Sequence, residues 1–94
     1  MDGLPEEKAL LLDHLARVVA NLHRGNIEAI VPLLRQMHTA ARSLSPQIQL
    51  DIHQFIIQVE FQMDYDPFHL VTEEIQKAAD ALIKDLGVPV PKKL

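Results

Sequence analysis

The sequence predicts an all-α fold, an antiparallel four-helix bundle, on three observations. Apolar residues recur at three- and four-residue spacing through four separate stretches. Each stretch is bounded by residues that start or stop helices: Pro5, Gly25, Ser45-Pro46, Asp66-Pro67 and Gly87. The connections between stretches are short, and short connections favour neighbouring helices of opposite direction.

The first helix is expected over residues 4–24. Pro5 stands near its start, and Glu6 and Glu7 sit in the first turn, where acids oppose the helix dipole. Leu4, Leu11, Leu12, Leu15, Val18, Val19 and Leu22 form one broad apolar face. His23 and Arg24 in the last turn and Gly25 after it mark the end. Asn26 can cap the second helix, expected to about Arg42, with Ile27, Ile30, Val31, Leu34, Met37 and Ala41 on its apolar face. Pro32 interrupts it. Proline removes a hydrogen bond and clashes with the carbonyl four residues back. Either the helix kinks there, or residues 27–31 form a separate turn and Pro32 opens the main helix.

The third helix, residues 46–63, organises the rest. Ser45 supplies an N-cap and Pro46 fits the first helical position. At about 100° per residue, Ile48, Ile52, Phe55, Ile56, Val59 and Met63 fall on one face, an ordinary core stripe. Leu50, Gln54, Ile57 and Phe61 fall on roughly the opposite side with 4-3-4 spacing, the spacing of a helix–helix seam. Gln47, Gln49, Gln58 and Gln62 fill much of the remainder, and the only formal charges are Asp51 and Glu60. A helix apolar on two sides packs between neighbours. Here the second neighbour is either the bundle itself or another molecule. Alternation at Ile48, Leu50 and Ile52, and again from Ile57 to Met63, offers a strand reading. The two runs are out of phase with no turn between them, so helix is preferred.

Asp66 and Pro67 are expected to cap and open the fourth helix, with Tyr65 and Leu70 at the spacing of a hydrophobic staple. Phe68, Val71, Ile75, Ala78, Ala79, Leu82 and Leu86 form its apolar face, Lys84 lies in the last turn and Gly87 stops it. Residues 1–87 thus read as one helical domain, and 88–94, rich in proline, as an extended tail.

Composition narrows function. The 94 residues contain no cysteine, which removes disulfide, thiolate and cysteine–zinc chemistry. The net charge of −4 argues against nucleic acid or an anionic membrane as main partner. Charge is uneven: Arg17, Arg24, Arg35 and Arg42 face only Glu28 in their segment, whereas Asp64, Asp66, Glu73 and Glu74 have no cation among them. Such segments are either solvated faces that attract each other within the fold or a polarised surface that orients a partner. A helix-turn-helix reading fails because residues 46–63 hold no Lys or Arg to engage phosphates. With no transmembrane-length run and an acidic start, a soluble cytoplasmic protein is expected.

His14, His23, His38, His53 and His69 show no i+3 or i+4 pairing, and the carboxylate–histidine spacing of di-metal bundles is absent; Asp66 and His69 are the nearest local pair. His38 falls on the apolar side of the second helix. It is read first as a core histidine with satisfied ring nitrogens, and otherwise as a register or titrating group. No serine elbow, phosphate loop or calcium loop is present. No metal, cofactor or catalysis is therefore expected. The function expected is protein–protein interaction, with Leu50, Gln54, Ile57 and Phe61 as the partner interface and a homodimer as the simplest outcome. Adaptor, immunity protein, antitoxin and chaperone roles share this size and helical class only by association. The alternative is a metal- or small-ligand-binding bundle that uses His38 and facing residues.

Overall fold

The computed structural model describes residues 6–87. Four helices follow in order: α1 (Glu6–Arg24), α2 (Ile27–Ala40), α3 (Pro46–Tyr65) and α4 (Glu73–Asp85), with a short 3-10 turn, Ala41–Ser43, after α2. No strand occurs among the described residues. α1 packs along α2 and α3 along α4, while α2 meets α3 in a looser seam, so the chain forms a helical bundle.

Local chemistry accounts for most boundaries. At the end of α1, Gly25 adopts φ 70°, a left-handed value that costs glycine little. This lets the Gly25 N–H reach the Leu22 carbonyl at 3.2 Å and the Asn26 N–H reach Asn21 at 3.0 Å, closing the helix. α3 begins where its cap places it: Ser45 Oγ accepts from the Ile48 N–H at 3.4 Å and Pro46 fills the first position. Gly87, with φ 85°, ends α4 and donates to the Lys84 carbonyl at 3.0 Å.

Several expectations need correction. Asn26 holds the N-cap position of α2, but its side chain makes no capping bond; its carbonyl instead accepts from Ala29 and Ile30. α2 runs unbroken from Ile27 to Ala40 with Pro32 inside it, so residues 27–31 are not a separate turn. α3 continues through Tyr65, two residues beyond the expected end.

The fourth helix differs most. It starts at Glu73, not Pro67, because Thr72 is its cap: Thr72 Oγ1 accepts from the Ile75 N–H at 3.2 Å. Asp66 is engaged elsewhere. Its Oδ1 accepts from the Phe68 N–H at 3.2 Å and its Oδ2 lies 2.8 Å from His69 Nδ1, a side-chain-mediated turn. The staple is absent, since Tyr65 is exposed and only Leu70 is buried. Phe68 and Val71 belong to the connection and face solvent instead of the core. The expected tail, 88–94, and Leu4 and Pro5 lie outside the described residues.

The core is one cluster drawn from every helix. α1 gives Leu11, Leu15, Val18 and Leu22; α2 gives Ile30, Leu34 and Met37; α4 gives Ile75, Ala79 and Leu82. α3 gives Ile48, Ile52, Phe55, Ile56 and Val59, the expected core stripe, with Met63 half-buried at its edge. The inward face of α3 is thus settled by packing against α4 and α2, and its opposite face is left outside.

Candidate functional site

The outer face of α3 is built by one local event. The Ser45 cap and Pro46 start the helix at a fixed residue, and from there the rotation of about 100° per residue sets every side chain's direction. Gln49 Nε2 adds a bond to the Leu44 carbonyl at 2.8 Å, holding the entry. With Phe55 and Val59 fully buried, Leu50, Gln54, Ile57 and Phe61 point away from the core. Leu50 is 58% exposed, Ile57 41% and Phe61 61%. Apolar helix faces ordinarily pack on neighbours; here the described chain leaves the stripe about half exposed.

Tyr65 extends the stripe by one more helical turn, beyond the residues expected from sequence. It is 74% exposed, and its ring stacks on Phe61 with centroids 5.7 Å apart and planes 8° from parallel. The spacing Ile57, Phe61, Tyr65 carries the signal, but an expected helix end at Met63 leaves Tyr65 to the following turn. At the same end, Gln62 Nε2 donates to the His69 carbonyl at 2.6 Å, tying the last turns of α3 to the connection.

Two hollows flank the stripe along the α2–α3 seam. One, of about 540 Å³, has a floor of Val31, Leu34, Ile56 and Met63 and a rim of Arg35 and Glu60. The second, of about 410 Å³, lies between Arg42, Pro46, Gln49 and Leu50. His38 and His53 border both. This corrects the reading of His38 as a core histidine: it is exposed, because α3 approaches α2 loosely enough to leave the Val31–His38 edge open. Val31, expected in the core, is 38% exposed for the same reason.

On the other flank an acid pair bridges two helices. Asp51 Oδ1 accepts from Gln47 Nε2 at 3.3 Å, while Oδ2 is buried with no hydrogen-bond partner. Burial first, and then the neighbouring Asp85 carboxyl of α4, push the Asp51 pKa up from 3.8 to about 6; Gln47 opposes the shift. Two ionised carboxylates offer only acceptors, so the pair can share a hydrogen bond only when one of them holds a proton.

The histidines do not assemble a metal centre. His69 pairs with Asp66 at an exposed turn, and His14 keeps a buried, unpartnered Nδ1 on the α1 side. Among the described residues, no three His, Asp or Glu side chains converge as a metal site requires. Nor is any described helix long and apolar enough to cross a membrane. Comparison with protein-family models, curated proteins and solved structures finds no match.

Proposed function

We propose that this chain works as a protein-binding module whose docking surface is the outer face of α3, and that its partner is a second copy of itself. The carrying observation is the exposed line Leu50, Ile57, Phe61 and Tyr65 on a helix whose opposite side fills the core. Scattered exposed apolar residues are ordinary; a line of them along one helix is not. A helix of 20 residues is about 30 Å long, enough to span an interface of about 800 Å² per partner when its flanks join in. Aromatic side chains such as Phe61 and Tyr65 supply large contact area at small entropic cost. Isologous pairing also places one apolar line on an identical one, the simplest way to remove both from water.

The test is mass in solution, by light scattering on a sizing column across a concentration range. The reading expects twice 10.6 kDa at the upper concentrations. It also expects loss of that species on Ile57→Asp with helicity retained. A mass of 10.6 kDa at every concentration removes the second copy as partner.

A further inference from the structure

We infer that two copies pair their α3 helices antiparallel, about a twofold axis beside Ile57, with Arg42 of each copy facing Asp64 of the other. This rests on the reading of the α3 outer face as the docking surface. Two independent features of that face carry the orientation.

The first is its taper. Phe61 and Tyr65 form a broad stacked pair at the C-terminal end, while Leu50 and Gln54 make a narrower N-terminal end. The residue numbers 50 and 65 are centred between Ile57 and Gln58. An antiparallel pair crossing there sets each Tyr65 against Leu50 and each Phe61 against Gln54. A parallel pair sets Phe61 and Tyr65 against their own copies and leaves a gap at the other end. Close packing favours matching wide to narrow.

The second is charge. The flank facing the α2–α3 seam is bipolar. At the Leu50 end it carries Arg42, with His38 and His53 alongside. At the Phe61 end it carries Glu60 and Asp64, which fall on the same side of the helix as His53, against Arg35 on the facing edge of α2, so this end stays net acidic. Residues 50 and 64 are separated by about 21 Å of helix. An antiparallel twofold brings the seam flanks of both copies together end for end, so the basic end meets the acidic end twice. Isologous contact repeats each match by symmetry, and complementary charge fixes register more than affinity. In a parallel pair Arg42 faces the partner's Asp51 flank instead, and Asp64 gains no cation.

The absence of cysteine makes a direct test. Full-length Ile57→Cys, Leu50→Cys and Tyr65→Cys variants, each with its reduced dimer confirmed by light scattering, are oxidised with copper–phenanthroline and run on non-reducing gels. The inference expects Ile57→Cys to cross-link with itself. It expects Leu50→Cys and Tyr65→Cys to cross-link when mixed, at least about tenfold faster than either alone. That contrast follows from the narrow Cα separation a disulfide accepts. Equal self-linking by all three overturns the antiparallel arrangement while leaving α3 as the docking face. A wild-type monomer with no cross-linking overturns both. For the charge match, Arg42→Glu and Asp64→Arg each raise the dimer Kd about tenfold at low salt, and the double variant recovers it. A double variant as weak as the singles overturns the Arg42–Asp64 match.

Discussion

Replacing Ile57 by aspartate separates a docking face from a core face. Full burial of isoleucine contributes about 1.5–3 kcal/mol. Ile57 is 41% exposed in the single chain, so the fold itself loses roughly three-fifths of that, about 1–2 kcal/mol. A chain of 94 residues has a stability of about 5–14 kcal/mol at the usual per-residue range, so the variant stays folded. The proposed dimer loses more. The exposed fraction disappears from both copies, about 1–2.5 kcal/mol together. Two carboxylates about 6 Å apart across the axis, at an effective dielectric of about 20, add about 3 kcal/mol of repulsion. The sum, about 4–5 kcal/mol, weakens the dimer roughly a thousandfold. Phe55→Asp is the control. Phe55 is fully buried; truncation alone costs about 3–5 kcal/mol, and an unpaired buried charge adds several more. Circular dichroism and light scattering read both variants together. The expected result is helical monomer for Ile57→Asp and loss of helix for Phe55→Asp. An unfolded Ile57→Asp, or one still dimeric at wild-type concentrations, refutes the reasoning; the first places Ile57 in a core and the second places the interface elsewhere.

Three further predictions concern the fold. Thr72→Ala removes the cap of α4 and lowers stability by about 1 kcal/mol, a fall in Tm of about 4–8 °C; an unchanged Tm would mean the Thr72 hydroxyl is not capping in solution. Pro32→Ala restores the missing donor to the Glu28 carbonyl within α2 and raises the urea midpoint by the equivalent of about 2 kcal/mol, with an unchanged m-value. A lowered midpoint would show that the proline geometry serves packing. Asp51→Asn tests the acid pair. The folded pKa is raised, so the contribution of Asp51 is full below 3.8 and fades as pH rises through about 6. The variant is therefore expected to gain Tm over wild type progressively across that window; parallel Tm curves would remove the Asp51–Asp85 coupling.

The elements legible in the sequence were those whose signals were local. Ser45-Pro46 and Gly25 state their roles in side-chain oxygen, ring geometry and backbone freedom, and the structure uses each in that way. Asp66-Pro67 states the same role and is used differently. Its carboxylate serves the Phe68 N–H and His69 while Gln62 holds the His69 carbonyl, and Thr72 with Glu73 and Glu74 provides a second start six residues later. Choosing between two chemically adequate caps depends on partners outside either motif. His38 and Val31 depart from the expected core for a related reason. On the helix wheel they sit at the edge of the α2 core stripe, and an edge position is buried or open according to how closely α3 approaches.

The sequence by itself determined four amphipathic helices and two apolar lines on α3, because helical rotation follows from backbone geometry alone. It marked the Ile48–Met63 line as the core stripe but did not determine whether the bundle also covered the Leu50–Phe61 line. Burial of apolar surface is non-directional, so nothing local excluded a core neighbour on both sides. Packing decided it: the Ile48–Val59 line carries the larger set of fitting side chains against α2 and α4, and Leu50, Ile57, Phe61 and Tyr65 were turned outward as a consequence.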